Sequence, residues 1–190
     1  MAPLATILEW STDSISSPVA DNIVAQNLAF GKEWTVSFEV NPLMDAASQG
    51  GWPNIIHFST GRDWEDCGSR YPYAQTQSNA NNKIVIASCV NDNTNYYQSE
   101  FTLNNDWNSI TIGQEQRIGD NGEENYVYFY KHNGVTIHEV INHNPIEIDG
   151  LNAYVSDPWY PAANVNLRNL IVRTDKKAKG NEYKNSTKTQ

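Results

Sequence analysis

The chain has 190 residues, with 13 basic against 22 acidic side chains and a net charge of −9. That length holds one domain with a real core, and the acidic balance argues against nucleic acid or an anionic membrane, which both demand a basic footprint. No apolar run approaches the ~18 residues that a spanning helix needs, so membrane insertion is set aside too.

The opening "MAPLATILEWSTDS" has no basic region followed by an apolar stretch, so no leader is visible. A cytosolic protein and a secreted one whose leader has been removed both stay open. Strand signals begin with "TILEW" (6–10) and "NIVAQNLAF" (22–30). In "WTVSFEV", Trp34, Val36, Phe38 and Val40 fall on one face and Thr35, Ser37 and Glu39 on the other, the period of a half-buried strand. "NIIHFS" (54–59) follows, where His57 alternates with Ile56 and Phe58 and so faces the opposite side. A polar and aromatic loop over 62–73 separates it from "KIVIASCV" (83–90). Next come "NYYQSEF" (95–101), "WNSITI" (107–112), "NYVYFYKH" (125–132), "VTIHEVI" (135–141), "LNAYV" (151–155) and "NLRNLIVR" (166–173). Asn133-Gly134, between two alternating runs, predicts a hairpin because both residues tolerate positive φ. Eleven strands without an amphipathic helix predict an antiparallel two-sheet sandwich. It forms a single domain over 1–174. Asp175 to Gln190, with five lysines against Asp175 and Glu182, reads as a flexible basic tail carrying the sequon Asn185-Ser186-Thr187.

The loop "GRDWEDCGSR" concentrates the chemistry. Asp63, Glu65 and Asp66 offer carboxylates of the kind that hard cations take, and Asp157 is held extended by Pro158. Calcium on Asp63, Asp66 and Asp157 is weighed against a solvated acidic loop, and otherwise no cofactor is expected. Trp52, Trp64, Tyr71, Tyr73, Trp159 and Tyr160 lie outside the strict alternation, where rings either stack on sugar faces or seal the ends of a sandwich. For Trp159 sealing is the favoured reading. Cys67 and Cys89 could form a disulfide, and bonded and free states stay open. The four histidines have no spacing that enforces convergence on a zinc ion.

Four stretches, "WTVSFEVNP", "GGWPNIIHFSTG", "LNNDWNSITI" and "YVYFYKHNGVTIHEV", followed by "LNAYVSDPWYPAANVNLRNLIV", carry a further likeness. In their order they resemble the concanavalin A-like jelly-roll superfamily, the lectin and glucanase type, and within it laminin-G-like modules. The resemblance implies two curved sheets packed face to face, an extracellular adhesive or glycan-binding setting, and in some members a calcium ion at the rim. Its glycoside hydrolases resemble Glu-x-Asp-x-x-Glu on one strand. Here Glu147 and Asp149 are followed by Asn152, so the acid partner is missing. Its alginate lyases are faintly similar at His57, Tyr128 and Lys131, but no Arg-x-Glu-x-Arg strand accompanies them. No catalytic residue is therefore assigned.

The expectation is a non-enzymatic, lectin-like extracellular module. Trp64, Tyr71 and Tyr73 would stack on sugar, while Asp63, Asp66 and Arg70 bind hydroxyls or anchor calcium. The alternative is a structural or adhesive protein that self-associates or binds an extracellular protein through an outward aromatic face of "NYVYFY". A polysaccharide lyase or hydrolase ranks third.

Overall fold

The computed structural model describes residues 3–11, 20–44, 46, 50–78, 80–97, 100–119 and 122–176. These form two antiparallel sheets. In spatial order, one holds β1 (Ala5–Trp10), β13 (Val165–Thr174), β3 (Trp34–Pro42), β9 (Asn108–Ile118), β10 (Glu124–His132) and β11 (Val135–Asn142). The other holds β2 (Ile23–Phe30), β12 (Ile148–Tyr154), β4 (Asn54–Ser59), β5 (Tyr73–Gln77), β6 (Ala80–Val90) and β7 (Asn93–Tyr97), with the short β8 (Phe101–Thr102) also on β6. The last two strands are each inserted between two early ones: β13 separates β1 from β3, and β12 separates β2 from β4. No helix among the described residues is long and apolar enough to cross a membrane.

Alternation builds the core. Trp34, Val36, Phe38 and Val40 are all buried, and register places Ile112 beside Val36 and Ile110 beside Phe38. The facing sheet supplies Leu28, Phe30, Ile56, Phe58, Ile84, Ile86 and Leu151. At one end the rings of Phe30, Trp34, Phe58 and Tyr71 meet at centroid distances of 5.1 to 6.1 Å, a spacing suited to tilted aromatic pairs. Trp34 Nε1 donates to the Tyr71 hydroxyl at 3.0 Å, which in turn donates to the Ile146 carbonyl at 3.2 Å. Neither polar tip is left unbonded in the dry interior.

The hairpin turn falls where expected, with Asn133 at φ 49 and Gly134 at φ 80 between β10 and β11. Two strand assignments differ from the sequence reading. The single run 95–101 is two pieces, β7 and β8, and β5 was not foreseen. In β5 the core-facing residues are Ala74 and Thr76, too small and too polar to give an apolar period. The outward aromatic face expected of "NYVYFY" is also corrected. Tyr128 and Tyr130 point into the core, and Phe129 on the other face is buried beneath Lys131 and Arg117, whose charges lie 5.0 and 5.9 Å from its ring.

Of the expected tail, Asp175 and Lys176 are described. The Asp175 amide donates to the Glu33 carbonyl, and Lys176 Nζ lies 2.8 Å from Asp149 and 3.3 Å from Glu147. The remainder, 177–190, including the sequon, lies outside the described residues.

Candidate functional site

Directly opposed residues in neighbouring strands project to the same side of a sheet. Register pairs Tyr154 with His57, His57 with Tyr73, Tyr73 with Ala87, and Ala87 with Tyr97. That row runs across β12, β4, β5, β6 and β7 on the face turned away from the core. Beside it Gln75 pairs with Val85. A cleft of about 330 Å³ opens over the β5–β7 end of this face. The strands line it with Tyr73, Gln75, Val85, Asn95 and Tyr97, and the connections add Trp52, Arg70, Glu100 and Tyr160.

Arg70 organises the wall. Its guanidinium lies 4.5 Å from the Tyr73 ring centroid, a cation–π distance. Nε donates to the Asp63 carbonyl at 3.0 Å, and Nη1 donates to Asn95 Oδ1 at 2.5 Å. Nη2 donates to Asp63 Oδ1 at 2.9 Å and to the Tyr160 hydroxyl at 3.0 Å. The Tyr160 hydroxyl donates to the other Asp63 oxygen at 2.8 Å, closing the ring of bonds. Burial pushes the Tyr73 phenol above its ordinary value, with Arg70 pulling the other way, so it stays protonated and able to donate. Tyr160 is raised as well, by burial first and then by its bond to Asp63. Cys67 and Cys89 are joined by a disulfide with Cα atoms 5.0 Å apart. It ties the connection that delivers Arg70 to strand β6.

At the other end of the row the face is closed. His57 and Asp157 are both 0% exposed. His57 Nε2 donates to the Ser69 carbonyl at 2.6 Å, and a proton is held between Nδ1 and Asp157 Oδ2 at 2.7 Å. Asp157 Oδ1 accepts from the Trp159 and Tyr160 amides at 3.0 and 2.9 Å. One carboxylate thus folds the 155–161 loop and fastens it to the sheet. Trp159, 36% exposed, packs edge-on against His57 and Tyr154 at centroid distances of 5.3 and 5.7 Å, covering them on the outer face rather than at an end of the sandwich.

The expected ligand set is partly brought together. Arg70 and Tyr73 line the cleft, and Asp63 stands behind Arg70. Tyr71 is corrected: it is 0% exposed and belongs to the aromatic core, where its ring cannot meet a ligand. Asp66 folds its own turn, accepting from the Gly68 amide at 2.8 Å and the Ser69 hydroxyl at 3.1 Å. Trp64 is 64% exposed but is not part of the cleft lining. Asp157, offered with Asp63 and Asp66 as a calcium ligand, is buried and committed to His57 and two amides. Among the described residues no group of three or more His, Cys, Asp or Glu converges in a way that could hold a metal ion. Trp52 and Tyr160 were visible as unassigned aromatics, whereas Gln75, Asn95, Tyr97 and Glu100 carried no signal, because only the pairing of distant strands and the connection between β7 and β8 gathers them.

No family model matches the chain, and no curated protein matches it in sequence. Solved structures do resemble it. An alginate lyase from Chlorella virus matches with a TM-score of 0.50 at 10% identity, over 87% of this chain and 88% of that one. A heptameric SAP-like pentraxin from Limulus polyphemus matches with a TM-score of 0.53 at 13% identity, over 83% and 74%. At such identities the likeness is one of fold.

Proposed function

The fold is that of a concanavalin A-like jelly-roll sandwich, and on that footing we propose that the chain binds carbohydrate in the β5–β7 cleft without transforming it. One observation carries the reading. Trp52 and Tyr97, 44% and 58% exposed, border a cleft whose strand-borne lining includes the amides of Gln75 and Asn95. Flat rings offered to solvent suit the C–H faces of a pyranose, and amides suit its hydroxyls, the usual division of labour in a small-molecule site. That one structural neighbour is an alginate lyase is compatible with a polysaccharide ligand. Binding is favoured over proton transfer because His57, the imidazole on this face among the described residues, is inaccessible with both nitrogens bonded. The disulfide fits an oxidising, extracellular setting.

The test is titration with a panel of oligosaccharides, followed by tryptophan fluorescence. Trp52→Ala and Tyr97→Ala should each weaken binding at least about tenfold, with melting nearly unchanged as for other surface positions. A panel without any binder, or variants that bind as the parent does, would refute it.

Self-association is the second reading, and one feature favours it. Strand β11 ends the six-stranded sheet and exposes Val135, Ile137 and Ile141. Light scattering on the unliganded protein decides it: a monodisperse oligomer supports it and a monomer removes it.

A further inference from the structure

We infer that the cleft selects uncharged saccharides and discriminates against uronates and sulfated sugars. This rests on the carbohydrate-binding reading of the same cleft and adds the class of sugar.

An acidic sugar needs a cation whose charge is still available, because a carboxylate that leaves water without a partner loses far more than a hydroxyl does. The cation lining the cleft is Arg70, and it is spoken for. Four of its five N–H groups are bonded, two of them to Asp63, whose carboxylate balances the guanidinium charge. Lys83, the cation next to Glu100, stands 3.7 Å from that carboxylate. Glu100 itself lines the cleft, and its pairing with Lys83 leaves no free positive charge there for an incoming anion.

The uncommitted polar groups are neutral. Gln75 is 5% exposed, lines the cleft, and makes no side-chain hydrogen bond with any described residue. Its amide is not among the enclosed, unbonded polar atoms of the described residues, so it opens to the cleft, where water or a ligand supplies its partners. Asn95 gives its oxygen to Arg70 and keeps its NH₂ group. A sugar hydroxyl donates and accepts at once, which matches an amide that does the same. A carboxylate or sulfate group seated against that amide accepts alone and gives the Gln75 oxygen no donor.

Calorimetric titration with cellotetraose, laminaritetraose and mannotetraose, set against tetragalacturonate, tests this. At least one neutral tetrasaccharide should bind, with an affinity constant within about twofold from about 0.01 M to about 0.15 M salt, a range that shortens the Debye length from about 30 to about 8 Å. Tetragalacturonate should bind at least about tenfold more weakly, equivalent to about 1.4 kcal/mol. Gln75→Leu, checked for parental melting and repeated as Gln75→Ala, should weaken the neutral ligand by at least about tenfold. Tetragalacturonate binding as well as or better than the neutral sugars would overturn the selectivity and leave the cleft a glycan site. Full-strength neutral binding by both Gln75 variants would remove the amide argument. Failure of all four ligands would overturn the binding reading itself, and this inference with it.

Discussion

Removing the Asp157 carboxylate should be among the most damaging single changes in the molecule. Asp157→Ala deletes the partner of His57 Nδ1 and the acceptor for two loop amides at once. It leaves the imidazole Nδ1 without a partner in a site with 0% exposure. Truncating one partner of a fully buried, mutually bonded pair costs about 3–5 kcal/mol. In a chain of this size each kcal/mol moves the midpoint by about 2–4 °C, so a fall of roughly 10 °C is expected. Asp157→Asn should cost less, about 1–2 kcal/mol: it keeps an oxygen for the two amides and turns its NH₂ toward Nδ1, while Nε2 still donates to Ser69. Calorimetric melting of both variants, together with His57→Ala and the double variant, forms a cycle whose coupling should exceed about 1 kcal/mol. An Asp157→Ala midpoint within about 2 °C of the parent, or additive single effects, would show that the loop is held by other contacts and refute the reasoning.

Three further outcomes follow from named contacts. Replacing Cys67 and Cys89 together by serine should cost about 3 kcal/mol by the chain-entropy relation for their sequence separation of 22, read from urea denaturation. It should also weaken glycan binding, because the Arg70 connection loses its tether. Gly113→Ala should destabilise by about 1–3 kcal/mol, since a Cβ there would lie 2.9 Å from both the Trp34 carbonyl and the Phe129 ring; unchanged melting would refute this, because the Trp34 carbonyl is backbone and does not move with Phe129. Burial holds His132 and His138 below the ordinary imidazole value. The unfolded chain therefore binds more protons as pH falls past about 6.5, and this part of the stability is present above that point and lost below it. Melting from about pH 7.5 to about pH 5.5 should fall less steeply in a His132→Gln, His138→Gln variant than in the parent.

Much of the sandwich was legible because its core strands keep strict period two. Trp34 to Val40 and Ile84 to Ile86 could be read directly, and the Asn133-Gly134 turn announced its hairpin through its tolerance of positive φ. The cleft was not legible, for a physical reason. Gln75 and Tyr97 sit on different strands, one of them a strand whose inward residues are Ala74 and Thr76, and nothing local in the sequence says that β5 and β7 flank β6. Tyr71 failed as a ligand candidate because a chain leaving a strand can still turn a ring inward. Its neighbour Arg70 stays on the outer face, and the two side chains part company over a single peptide unit.

The placement of β12 and β13 between early strands has a consequence for synthesis. A ribosome delivers roughly 5–20 residues per second. The first four strands therefore wait several seconds before the segments that join β1 to β3 and β2 to β4 have emerged. Until then Phe30, Trp34 and Phe58 hang from an unfinished template with open hydrogen-bonding edges, a state suited to capture by chaperones and prone to sticking to other nascent copies.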